Sequence, residues 1–161
     1  MGLLTGTNKT MLSISILLLR LVLGGILFVA GAGKVFGWFG GMGLEATLEA
    51  FTQMGFSAPL AHLSNYTELI GGLLIAIGLL TRPAALAIAI NMLVATVVSL
   101  PQGFMIGASY PFSLFMVSLA ILLSGPRSIS VDAFFSEGPR GPAPSTAPRF
   151  RSSADEKGRR L

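Results

Sequence analysis

The 161-residue chain contains no cysteine. That excludes disulfides, thiolate nucleophiles, Cys-ligated metals and iron–sulfur clusters. It contains one histidine, His62, which is too few for a multi-histidine metal site or a Ser-His-Asp arrangement with a spare imidazole. Charge is also scarce. Only 11% of residues are charged, against about a quarter in an average soluble domain. A water-soluble surface cannot be built from so few charges.

Apolar residues make up 52% of the chain, and the mean hydropathy is +0.75. This composition excludes a disordered chain, an ordinary cytosolic enzyme and a nucleic-acid-binding domain. It indicates a membrane protein. The pI near 10.1 does not rescue a nucleic-acid reading. Seven of the 11 basic residues lie after residue 125, away from the apolar body of the chain.

Four apolar runs follow one another, at residues 11–33, 60–80, 84–100 and 104–124. Each is long enough to cross a bilayer, at roughly 20 residues per crossing. Helix is the expected form, because lipid offers no partner to open backbone groups. The first run is too long for the apolar part of a cleaved signal peptide and is interrupted by Arg20. The expectation is an all-α polytopic protein, a four-transmembrane-helix bundle. Basic residues set its orientation. Lys9, Arg82, Arg127 and Arg140 fall on one side and Lys34 on the other, so both termini are expected in the cytoplasm.

Between the first two runs, "GLEATLEAFTQM" carries Leu44, Leu48, Phe51 and Met54 at helical spacing. It predicts an amphipathic helix over 44–54 on the outer surface. Residues 1–10 read as a cytoplasmic N-terminal segment and 11–135 as the membrane domain. The Pro-, Ser- and Arg-rich stretch 136–161 has no apolar period and reads as a disordered basic cytoplasmic tail.

The few polar residues inside the runs fall on helix faces. Arg20, Gly24, Leu27, Gly31 and Lys34 share one face of the first run, and Ala61, Asn65, Glu68 and Gly72 one face of the second. Ala84, Ala87, Asn91 and Ala95 align on the third, and Ser113, Val117, Ala120 and Ser124 on the fourth. Glycines permit close helix approach, and intramembrane charges mark an inward surface. Counting 1.5 Å per residue puts Arg20 roughly 10–13 Å and Glu68 roughly 18 Å from the cytoplasmic edge. Leaving either charge unpaired costs roughly 2.5–3.5 kcal/mol on insertion scales. Arg20 and Glu68 are therefore expected to pair, with Asn91 nearby. The candidate intramembrane polar site comprises Arg20, Glu68, Asn91, Asn65 and Lys34. Gly24, Gly31 and Gly72 are the close-packing positions. No catalytic residue and no metal ligand is assigned. Two readings of the pair stay open: a structural ion pair that fixes helix register, or a site for a quinone, a lipid head group or a proton.

The runs "RLVLGGILFVAGAGKVFGWFGG", "LEAFTQMGFSAP", "ELIGGLLIAIGLLTRPAAL" and "LPQGF", with "LAILLSGPRSISVD" after them, resemble DoxX-type integral membrane proteins. The resemblance covers about residues 13–135. It implies a multi-pass protein of the bacterial inner (plasma) membrane. It also implies a membrane subunit of a quinone- or thiol-linked redox system, with a quinone as the implied cofactor and redox proteins as partners. The rival is a non-catalytic membrane scaffold or assembly factor. The chain departs from the common pattern at Ser99, where many members have histidine, and at Ser109-Tyr110, where many have an acidic residue. Without cysteine the chain cannot exchange disulfides itself. Glycine-rich faces permit a homo-oligomer.

Overall fold

A computed structural model of the chain describes residues 9–125, with side chains from Met11 onward. Residues 1–8 and 126–161 lie outside the described residues. With them lie most of the expected N-terminal segment, the end of the 11–135 domain, the basic tail, and the motif residues Pro126, Ser130 and Asp132.

Five α-helices follow in order: α1 (Lys9–Phe36), α2 (Gly43–Gln53), α3 (Ala58–Ile77), α4 (Thr81–Ser99) and α5 (Ser109–Ser124). A π-helical turn, Phe104–Ala108, leads into α5. Four segments are long and apolar enough to cross a membrane: Met11–Phe36, Ala58–Ile77, Thr81–Gln102 and Phe104–Ser124. These match the four apolar runs, and α2 matches the expected amphipathic helix. The fold is all-α, with no strand among the described residues.

Around the bundle the helices run α1, α3, α4, α5 and back to α1, each packing on its two neighbours. The α1–α3 and α4–α5 pairs carry most of the contact. Leu23, Leu27, Ile75, Ala85, Ile88 and Ile121 form the buried core. Leu18, Val22, Ile70, Ile90 and Leu123 stay exposed along the outside. That apolar exterior is ruinous in water and ordinary in lipid, whose tails are equally apolar.

Glycine brings α1 and α3 together. A Cβ on Gly24 would stand 2.6 Å from the Gly72 carbonyl oxygen, and one on Gly31 2.5 Å from the Leu69 nitrogen. A Cβ on Gly72 would stand 2.7 Å from the Phe28 nitrogen. All three glycines expected at close-packing positions are thus used within the chain, between two antiparallel helices. In a bilayer such contact is itself the driving force, since burial from lipid gains little.

The polar faces expected on α1 and α3 are the inward ones: Arg20, Gly24, Leu27 and Gly31 are buried, as are Ala61, Asn65, Glu68 and Gly72. The face expected on α5 is not. Ser113 and Ala120 are exposed, and α5 buries Pro111, Leu114, Ser118 and Ile121, one residue further along. A helix apolar all round has no amphipathic stripe to reveal its inner face. On α4 the buried face runs through Ala85, Ile88, Met92 and Thr96, with Asn91 at its border and Ala87 exposed.

Candidate functional site: a lateral cavity with a polar floor

The expected Arg20–Glu68 pair does not form. Lys34 takes the place of Arg20: its Nζ donates to both carboxylate oxygens of Glu68, each at 2.7 Å. The Glu68 side chain is only 6% exposed and that of Lys34 33%. Asn91 Nδ2 points a long donor contact at Glu68 Oε1, 3.5 Å away.

Register, helped by helix direction, explains the exchange of partners: Gly31 lies against Leu69 and Gly24 against Gly72 and Ala76, so Lys34 stands beside Glu68 and Arg20 beside the end of α3. Each Cα–Cβ bond tilts toward the N-terminus of its own helix. Since α1 and α3 are antiparallel, Glu68 leans toward the end of the bundle that holds Lys34. Arg20 leans the other way. Fourteen residues separate Arg20 from Lys34, about 21 Å along the axis.

Arg20 serves the opposite end of the bundle. Its guanidinium is buried, and Nε donates to the Ile75 carbonyl at 3.0 Å. There α3 ends in a Schellman turn: Leu79 N donates to Leu74 O at 3.0 Å and Gly78 N to Ile75 O at 3.2 Å, with Gly78 at φ 75°. A cation beside the last carbonyls of a helix complements its dipole. A Cβ on Gly78 would push the Arg20 guanidinium aside, so glycine serves twice here, for the positive φ and for the space.

Above Lys34 the chain turns sharply through Gly37–Met42 and enters α2. Thr47, the one buried residue of α2, donates to the Gly43 carbonyl at 2.7 Å and lies 3.5 Å from the Lys34 carbonyl. This fixes α2 over the end of α1. Phe51 of α2, with Met54 and Phe56 just after it, then roofs a cavity of about 340 Å³ between α3 and α4. Its walls are Leu60 and Leu63 on α3 and Ile90, Val94 and Val98 on α4. Lys34, Glu68 and Asn91 give it a polar floor. An apolar cleft of this size with a few convergent polar groups is the ordinary form of a small-molecule site.

Of the residues expected to gather, the structure brings Lys34, Glu68 and Asn91 to the cavity. Asn65 lies on the same face of α3 but does not line it; the residue is fully buried, and neither amide atom has a hydrogen-bond partner among the described residues. Arg20 is elsewhere. Ser64 and Ser99 also line the cavity and were missed. Ser64 lies four residues before Glu68, a spacing that could have flagged it. Ser99 drew notice only as a departure from the DoxX pattern.

Together the fold and this cleft define a four-span membrane protein with an ion pair at the base of a cavity between α3 and α4. The DoxX family model matches residues 15–100, and the chain belongs to the DoxX family. It is 33% identical over 132 residues to the Bacillus subtilis (strain 168) protein named "Putative oxidoreductase CatD", covering 81% of this chain and 93% of that relative. No solved structure matches the chain.

Proposed function

We propose that this protein is the membrane subunit of a redox system and that the cavity between α3 and α4 holds a quinone-like or lipid-like amphiphile. The observation that carries this reading is the cavity itself: about 340 Å³ with apolar walls, ending on the Lys34–Glu68–Asn91 cluster. The name of the Bacillus subtilis relative supports the redox half of it.

The floor sets the chemistry of the head group. Lys34 and Glu68 cancel in charge, so an uncharged head with carbonyl or hydroxyl oxygens suits it better than a phosphate. Lys34 Nζ and the Asn91 amide are donors for a carbonyl oxygen, and the Glu68 carboxylate accepts from a hydroxyl. A bound quinone would supply the electron-carrying capacity that the chain's own side chains lack. Electrons would come from a partner protein, since a chain without cysteine has no thiol to offer.

Orientation follows from the basic residues. The termini and the α3–α4 turn with Arg82 face the cytoplasm of a bacterial inner membrane, and α2 faces outward.

The test is to purify the protein in native lipid, extract bound small molecules, and compare wild type with Glu68→Ala. An amphiphile near one per chain, lost in the variant, supports the reading. An empty cavity with a co-purifying protein would favour a scaffold instead.

A further inference from the structure

Lys34 faces two cavities. One is the lateral cavity; the other is a recess of about 300 Å³ on the far side of α1. The recess is bounded by Val29, Ala30 and Gly33 of α1, the Trp38–Met42 loop and Thr47 of α2. Among the described residues, Lys34 is the only charged side chain that lines it and the only residue common to both walls.

The recess exists because of its loop. Gly37, Phe39, Gly40 and Gly43 all take positive φ, and this folds the loop back until Gly41 sits directly on Gly33. Phe39, at φ 55°, is a bulky side chain held in a conformation that favours glycine. Trp38, Phe39 and Met42 are more than half exposed at the rim. Aromatic side chains of this kind belong at the membrane–water interface. The rim of the recess thus carries the side chains that suit the water boundary, whereas the lateral cavity is walled mainly by α3 and α4, two helices long and apolar enough to cross the membrane.

A second observation calls for water inside the bundle near the pair, at a residue that lines neither the recess nor the lateral cavity. Asn65 lies one helical turn from Glu68 on the same face of α3. It is fully buried, and its amide oxygen and nitrogen have no partner among the described residues. Buried amides in that state are ordinarily satisfied by internal water.

We propose that the recess beneath the Trp38–Met42 loop is a water port to the Lys34–Glu68 pair, separate from the lipid-side cavity, with Lys34 as the wall between them. Its role as a service route for the amphiphile site rests on the function proposed above, but its presence is measured without any ligand. The port gives the pair contact with solvent, and so with protons, from the α2 end of the bundle. An amphiphile in the lateral cavity would not block it.

The absence of cysteine makes a direct test simple, because any introduced thiol is the sole target. Ala30→Cys places it in the recess and Val94→Cys in the lateral cavity. Both proteins, in vesicles, are treated with a permanently charged thiosulfonate and, separately, with an uncharged lipid-soluble maleimide. The reactive species is the thiolate, which needs water, so Ala30→Cys should react with the charged reagent at least about 10-fold faster than Val94→Cys. The maleimide should show no such preference. The link to the pair is read with Lys34→Cys in a Glu68→Gln background. Filling the recess with Ala30→Phe should slow the charged reagent there about 10-fold, while Val94→Trp should not, because access and thiolate formation govern the rate. If Ala30→Phe does not fold, Met42→Trp blocks the mouth instead. Equal rates at Ala30→Cys and Val94→Cys, or a Lys34→Cys rate indifferent to the recess plug, would overturn the port. Expected rates alongside an extraction that finds no amphiphile would instead remove the ligand reading and leave the port standing.

Discussion

Replacing Lys34 by methionine leaves Glu68 without its main partner. The carboxylate is 6% exposed and takes both short hydrogen bonds from Lys34 Nζ. What remains is Asn91 Nδ2 at 3.5 Å, too long to compensate a charge. Breaking a buried pair by deleting one partner costs about 3–5 kcal/mol. Lys34 is one-third exposed, so some solvent reaches the pair and the lower end applies, about 3 kcal/mol. The opposite truncation, Glu68→Gln, strands an ammonium on a long flexible stem that can turn toward water. It should cost about 1 kcal/mol.

The double variant Lys34→Met/Glu68→Gln removes both charges together. Replacing a buried ion pair by groups of similar volume is often neutral or stabilising, so the double variant should lie within about 1 kcal/mol of wild type. The four proteins complete a double-mutant cycle with a coupling energy of about 4 kcal/mol. The measurement is reversible unfolding in mixed micelles, titrated with a denaturing detergent and followed by loss of helix. Additive single effects, or a double variant as unstable as Lys34→Met, would refute the claim that these two groups are each other's main partner.

Three further outcomes follow from the packing and the cavity. Gly78→Ala should cost about 3 kcal/mol: roughly 1 for the left-handed backbone and about 2 for displacing Arg20 from the Ile75 carbonyl, read in the same titration. Gly31→Ala drives a methyl into the α3 backbone at Leu69 and should cost about 1–3 kcal/mol, whereas Gly25→Ala meets open space and should be close to neutral. Val94→Trp fills the lateral cavity from its wall, and should abolish amphiphile co-purification while shifting stability by less than about 1 kcal/mol, since Val94 is exposed on the lipid side.

The spans were legible because membrane helices announce themselves by length and apolarity, and α2 by its heptad-like leucines. The α1–α3 contact was legible too, since Gly24, Gly31 and Gly72 fall on faces that repeat every turn. Partner choice was not. Depth counting placed Arg20 and Glu68 within reach of each other. The register that Gly24 and Gly31 set against Gly72, Ala76 and Leu69 instead puts Arg20 beside the end of α3 and Lys34 beside Glu68. The inner face of α5 was illegible for a different reason: serines at Ser113 and Ser118 are equivalent in composition, and both donate to the carbonyl four residues back, at 2.8 and 2.7 Å. A hydroxyl bonded within its own helix does not report which face is inside. Ser64 and Ser99 escaped because a cavity between two helices takes its lining from both flanks and has no single period.

The choice between a structural ion pair and a functional one turns on what else holds α1 against α3. Register between these helices is already fixed by backbone contact. Gly24 lies against Gly72 and Ala76, and Gly31 against Leu69. Sliding one helix past the other would drive side chains into those contacts, and close packing of this kind is what drives helix association in lipid. Arg20 adds a lock at the other end, through the Ile75 carbonyl. An ion pair at Lys34 and Glu68 is therefore not needed to set register, and an apolar pair there would pack with less desolvation. What the pair does supply is a polar floor to a cavity that otherwise has apolar walls. Arg20 is explained by the helix end it caps. Lys34 and Glu68 face the cavity between α3 and α4.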